Sequence, residues 1–242
     1  MSGRALKTIG ILGGMGPEAG ASFFERLIRE AAARRDQEHP PVLLFSLPQV
    51  PDRTEAILGG GPSPVPAIRR GIRTLARAGA HFAVIPCISA HAFYAWIARD
   101  SPIPILSLVD ATLAGIKRMK PAPQKVGLLA TSGTVRSGTL AKAFEAAGLE
   151  VLTPSARDQR KVMTAIYGRE GVKAGVNEGP PRRLLVEVAN GLVDRGAQAI
   201  VAGCTEVPLA LRPADLPVPL IDPLTIGARA ALRLAGARLR SR

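Results

Sequence analysis

AVIPCISAH at 83–91 and IVAGCTEVP at 200–208 hold the only two cysteines of the chain, and the two stretches read alike. In each, an apolar run rich in Ala, Val and Ile meets Pro or Gly, and a cysteine follows, with Ser or Thr within the next two residues. Short apolar runs bounded by such punctuation read as buried strands. Both thiols then stand at the C-terminal ends of strands.

Further landmarks share the spacing of this pair. Gly10-Ile11-Leu12 aligns with Gly127-Leu128-Leu129, Gly79-Ala80 with Gly196-Ala197, and Cys87 with Cys204, all 117 residues apart. PIPIL at 102–106 resembles PVPLI at 217–221, where the spacing has drifted to 115. Landmarks recurring in one order describe a duplicated unit. Strands are expected at 8–12, 42–46, 82–86, 126–130 and 199–203, and helices at 17–34, 64–78, 89–98, 108–118, 137–147, 180–194 and 223–238. Strands alternating with helical segments give an α/β fold with parallel sheets. The expected architecture is two similar α/β domains related by a pseudo-twofold axis, each around a central, mostly parallel sheet. Their expected bounds are 1–108 plus 222–242 for the first and 109–221 for the second. Ligands of such sheets bind beyond the C-terminal strand ends, so the active site is expected in the cleft between the domains, with one thiol on each side.

A chain of 242 residues that is 47% hydrophobic and 21% charged, without a low-complexity tract, is that of a folded globular protein. The net charge of +13 raises nucleic acid as a partner. Its distribution argues against one, because basic residues are scattered through helical segments and only one Trp and two Tyr are available for stacking. The densest cluster, five arginines within 229–242, reads as a solvated helix face. The apolar part of MSGRALKTIGIL is too short for a signal peptide, and the apolar stretch 82–98 falls short of the roughly 18 residues of a membrane span. No membrane partner is expected. Two cysteines without a leader fit a cytoplasmic location, where thiols stay reduced.

A lone cysteine is most often a small core hydrophobe. Two at equivalent places in a duplicated unit point to chemistry instead. A disulfide does not suit the compartment, and two Cys with His39, His81 and His91 dispersed make no metal set. A cysteine hydrolase could take His91 as base but leaves Cys204 without a role. The loop GGMGPEAG at 13–20 offers backbone N–H groups at a helix start, a cradle for a carboxylate, without the order of a dinucleotide fingerprint or a Walker lysine. ATSGTVRSG at 130–138 is its counterpart. In PQVPDRTEAILGGGPSP at 48–64, read as a loop, the fork of Arg53 suits a carboxylate, and Lys173 in GVKAG supplies a second cation.

GGMGPE at 13–18, PQVPDRT at 48–54, Cys87 with Ala90-His91, GVKAG at 171–175 and GCTE at 203–206 together resemble the aspartate/glutamate racemase family, in particular its aspartate racemase branch. The resemblance spans nearly the whole chain. It implies two α/β domains, a homodimer, and inversion of an amino acid without a cofactor by Cys87 and Cys204 as acid and base on opposite faces of the α-carbon. It implies a small amino acid or dicarboxylate as ligand, aspartate or glutamate first. Arg53 and Lys173 would hold the distal carboxylate. Ser89, Thr205, and the backbone around Ile88 and Glu206 would hold the α-carboxylate and amino group. Met15, Gly16, Gln49, Thr54, Thr131, Ser132 and Thr134 complete the expected binding set, and no metal or pyridoxal motif is present. The chain departs from the pattern at Ile88, where the family has Asn, and at Ser89 in place of Thr. Cys-Thr-Glu also differs from the Cys-Thr-His of cell-wall glutamate racemases. The alternatives are a racemase of non-acidic substrates, another carbanion-forming isomerase or decarboxylase on the same scaffold, and a non-catalytic amino-acid-binding module.

Overall fold

A computed structural model describes residues 5–241. The first four residues of the N-terminal stretch and of the first expected domain, and Arg242 of the C-terminal arginine cluster, lie outside the described residues.

The elements run β1 (Ile9–Gly13), α1 (Pro17–Glu30), β2 (Val42–Ser46), α2 (Arg53–Leu58), α3 (Val65–Arg77), β3 (Phe82–Val84), α4 (Tyr94–Ala98), β4 (Ile105–Leu106) and α5 (Leu108–Lys117). The second half continues with β5 (Lys125–Leu129), α6 (Ser132–Ser137), α7 (Thr139–Glu145), β6 (Glu150–Leu152), α8 (Ala156–Tyr167), α9 (Pro180–Asp194), β7 (Ala199–Ala202), α10 (Val207–Ala210), β8 (Leu220–Ile221) and α11 (Pro223–Ala235). Two four-stranded parallel sheets result, ordered β2-β1-β3-β4 and β6-β5-β7-β8.

The duplication seen in the sequence is repeated in the register. Ile9 pairs with Phe82, and Val126, 117 residues after Ile9, pairs with Ala199, 117 after Phe82. Ala83 pairs with Ile105 and Ile200 with Leu220, which reproduces the drift to 115. A glycine contact recurs as well. A Cβ on Gly10 would lie 2.9 Å from Ala80 Cβ and 3.3 Å from Leu75 Cδ1, and one on Gly127 would lie 2.7 Å from Ile200 Cδ1 and 3.0 Å from Leu192 Cβ. Leu75 and Leu192 are themselves equivalent, so in each unit a helix end presses a leucine onto a bare strand position.

Why the strands read as unbroken apolar runs follows from their two covered faces. Ile9, Ile11, Phe82, Val84, Val126, Leu128, Ala199 and Val201 belong to one interior shared by both sheets, with Phe23, Leu108, Phe144 and Ala228 from the helices between them. The alternate residues Leu12, Ala83 and Ile85 face a core private to the first unit, and Leu129, Ile200 and Ala202 one private to the second. Cys87 belongs to the first private core and Cys204 to the second. The C-terminal segment returns to the first unit, where Ala32 and Arg240 donate backbone N–H bonds to Arg238 and Glu30.

Several element expectations are corrected. The helix expected at 137–147 is α7, which opens at Gly138 in a left-handed turn (φ 67°), and the stretch 130–138 before it contains a further short helix, α6. The helix at 89–98 begins as a 3-10 turn over Ser89–Phe93. The strand at 82–86 stops at Val84, where Pro86 has no N–H and Cys87 N–H turns back to Ile85 O. The loop at 48–64 contains α2, capped by Asp52, whose carboxylate accepts from Glu55 N–H at 2.9 Å. β4, β6, β8, α6, α8 and α10 were not among the expected elements. Among the described residues no helix is long and apolar enough to cross a membrane.

Gly10→Ala and Gly127→Ala are each expected to destabilise by about 1–3 kcal/mol through overpacking. Gly191→Ala, in open space on the exposed side of α9, is expected to stabilise by roughly 0.5–1 kcal/mol. Urea unfolding midpoints check all three.

Candidate active site

The C-terminal ends of β3 and β7 deliver Cys87 and Cys204 to the same place. Both are free thiols, 4% exposed, and both line one pocket with Met15, Arg53, Ile88, Ser89, Thr131, Tyr167, Lys173, Thr205 and Glu206. Its volume is about 10 Å3, room for about one water and not for an amino acid. The cleft is closed.

Hydroxyls stitch the two units together beside it. Thr54 Oγ donates to Thr131 Oγ at 3.2 Å, and Ser89 Oγ lies 3.3 Å from Thr131 Oγ and 2.9 Å from Thr134 Oγ. Close approach of α2 and α6 permits this, because a Cβ on Gly133 would sit 2.8 Å from Thr54 Cα.

Each sulfur has a different ionic neighbour. Beside Cys87, the buried Arg53 donates from Nη1 to Val50 O and Pro51 O and from Nη2 to Met15 O. Its Nε is buried with no hydrogen-bond partner among the described residues. Burial opposes the charge of Arg53, but the Cys87 sulfur and Asp52 outweigh it and hold the guanidinium above its ordinary pKa. Beside Cys204 stands Glu206, 4% exposed, whose Oε2 accepts from Cys204 Sγ at 2.9 Å and from Thr205 Oγ at 3.2 Å. Its Oε1 accepts from Lys173 Nζ at 2.8 Å and from Gly16 N–H at 3.2 Å. Burial works against this carboxylate's charge, yet Lys173 and the donated hydrogen bonds keep it below the usual carboxylate range. Burial and the adjacent Glu206 push the Cys204 thiol well up. Burial likewise opposes the Lys173 ammonium, and Glu206 followed by Cys204 more than restores it.

His91 is no base for Cys87. Leu108 N–H donates to Nε2 at 3.0 Å, so the ring proton is on Nδ1, which donates to Cys87 O at 2.9 Å. Both nitrogens are spent on backbone, and burial lowers the imidazole's pKa. This corrects the Cys-His hydrolase alternative.

Of the expected binding residues, Met15, Arg53, Ile88, Ser89, Thr131, Lys173, Thr205 and Glu206 line the pocket. Gly16, Thr54 and Thr134 do not line it but hydrogen-bond to residues that do. Gln49 and Ser132 lie outside the pocket. Gln49 is exposed in the turn after β2, where the neighbouring Val50 carbonyl is what reaches Arg53. Ser132 faces α8, with its Oγ accepting from Gln159 Nε2 and its N–H directed to Met163 Sδ. The carboxylate that the loop after β1 holds through Gly16 N–H is the protein's own Glu206. Tyr167, absent from the expected set, ends α8; its hydroxyl donates to Asp52 at 3.0 Å, and its ring lies 5.4 Å from Lys173 Nζ. Its position six residues ahead of Lys173 was the available signal.

Residues 12–231 match the family described as Asp/Glu/Hydantoin racemase. The chain is 26% identical over 220 residues to the broad specificity amino-acid racemase RacX of Bacillus subtilis, covering 88% of this chain and 92% of that protein. The solved Picrophilus torridus aspartate racemase superposes with a TM-score of 0.86 at 31% identity, over 97% of this chain and 96% of that one. An aspartate racemase homologue from Pyrococcus horikoshii shares the fold, with a TM-score of 0.73 at 24% identity over 96% and 100% of the two chains. A match running from the first strand into the last helix, on a doubled fold with a cysteine at each strand end, means that this chain belongs to the Asp/Glu/hydantoin racemase family and is an amino-acid racemase.

Proposed function

We propose that the chain racemises an amino acid without a cofactor, with Cys87 and Cys204 as acid and base on opposite faces of the α-carbon. The observation that carries this reading is that both thiols, one from each unit, line the same closed pocket. One cysteine as thiolate removes the α-proton. The electron pair left on carbon is delocalised into the α-carboxylate, and the other cysteine as thiol donates its proton to the opposite face. A fixed set of donors lowers the energy of the charge that develops on that carboxylate; Ser89, Thr131 and Thr205 supply hydroxyls for it. Proton transfer of this kind contributes roughly 10²–10⁴-fold per positioned group.

Substrate enters when the two proposed units, which meet at 108/109 and 221/222, part from one another, and closure removes water from the sulfurs. A homodimer in the cytoplasm is part of the same reading. For the side chain, the unpartnered Nε–H of Arg53 supports an acidic amino acid, aspartate or glutamate, with its distal carboxylate at Arg53 and Lys173. A neutral amino acid is the second reading, favoured by Glu206, which already neutralises Lys173, and by apolar Ile88 where the family has a polar residue. The broad specificity named for the Bacillus subtilis relative supports it too.

Transfer of α-protons in heavy water, followed by NMR over a panel of L- and D-amino acids, tests the function; no exchange with any of them would rule it out. Cys87→Ala and Cys204→Ala should each lower racemisation by about 10²–10⁴-fold with unchanged circular dichroism; full activity in either refutes the two-base scheme. Lys173→Ala should weaken acidic substrates more than neutral ones if the first substrate reading holds, and both alike if the second does. The rate should follow a bell in pH, whose alkaline limb is loss of the last thiol proton. Because Glu206 raises the Cys204 pKa, Glu206→Gln should move that limb to lower pH.

A further inference from the structure

A groove of about 570 Å3, within the ≈ 300–1,000 Å3 of small-molecule sites, shares no lining residue with the cysteine pocket. Its apolar floor includes Met119, Leu211, Pro219 and Ile226. α5 and α11 meet along it, with Ile226 against Gly115, where a Cβ would come within 2.8 Å. Its walls carry Arg26, Arg118, Arg212, Arg229 and Arg233 against a single lining carboxylate, Asp222.

Three of these arginines have carboxylate partners. Arg26 Nε bonds Asp222 at 2.9 Å, Arg229 pairs with Glu30, and Arg212 with Glu178. Arg118 and Arg233 have none among the described residues. Cations at the C-terminal ends of α5 and α11 suit the helix dipoles, but that explanation does not require them to converge. Burial, then Arg118 and Arg229, disfavours the charge of Arg233. Arg118 and Arg233, both exposed, are therefore like charges held near one another with no carboxylate partner among the described residues. Arg229 and Arg233 come from the C-terminal arginine cluster that the cysteine chemistry leaves unused.

We propose that this groove binds a small multivalent anion, a phosphorylated or polycarboxylate metabolite, whose charges engage Arg118 and Arg233 while its apolar part lies on Met119 and Ile226. Guanidinium groups pair two-pronged with phosphate and carboxylate oxygens alike, so the two sources share one chemistry. The site spans both units: α1 and α11 line one side, and α10, which begins directly after Glu206, lines the other through Pro208. It stands independently of the proposed substrate and of the two-cysteine scheme.

Calorimetric titration with pyrophosphate and, separately, citrate, at constant ionic strength set with sodium chloride, tests it on the wild-type chain and on the Arg118→Gln/Arg233→Gln variant. Saturable binding of one anion per chain is expected, weakened at least about tenfold in the double variant and retained in Arg233→Lys, with circular dichroism confirming that each is folded. Tighter binding of pyrophosphate assigns the site to phosphorylated ligands, and of citrate to polycarboxylates; either supports it. Absence of saturable binding, equal binding by the double variant, or equal competition by acetate would overturn it. So would light scattering showing a dimer that the double variant breaks, combined with no anion uptake, since the groove would then be an interface between two copies.

Discussion

Ile9, Ile11, Val126 and Leu128 point into one interior from two different sheets, and that shared burial determines where everything else sits. Parallel strands covered on both faces leave only their ends free for polar work. Because the same register recurs 117 residues later, the interior aligns the two sets of strand ends, and with them the two thiols. The helices α1, α5, α7 and α11 fill the space between the sheets and set how far apart the strand ends lie.

At the strand ends the balance of charge is the controlling feature. Arg53, Lys173 and Glu206 are all largely withdrawn from water, and an unpaired charge there would be expensive. Lys173 and Glu206 answer one another at 2.8 Å, and Arg53 is held by three carbonyls beside Cys87. If this pocket is the substrate site, as proposed, the substrate meets charges that are already internally compensated.

Much of this was legible before any coordinates. The doubled landmarks, the strand ends bearing Cys87 and Cys204, and the cations Arg53 and Lys173 follow from local pattern, and local pattern survives folding. What escaped was tertiary. Nothing in GCTE says that the Glu206 carboxylate turns inward to meet a lysine from 33 residues upstream. The two-residue strands β4 and β8, hemmed by prolines in PIPIL and PVPLI, are too short to show alternation. α8 was recoverable: Ser155 caps it, and Val162, Ala165 and Ile166 fall on one buried face, but the charged residues among them hid the period.

The fold is nearly symmetric, yet its sulfurs are not: one rests beside a guanidinium, the other against a carboxylate. Mirror-image amino acids have equal energies in water, so the equilibrium constant between them is one whatever the protein does. The ratio of turnover number to Michaelis constant must then be the same for both hands. On the proposed two-cysteine scheme, inequality between Arg53 and Glu206 can surface only as paired changes, a hand that is turned over faster also being held more loosely.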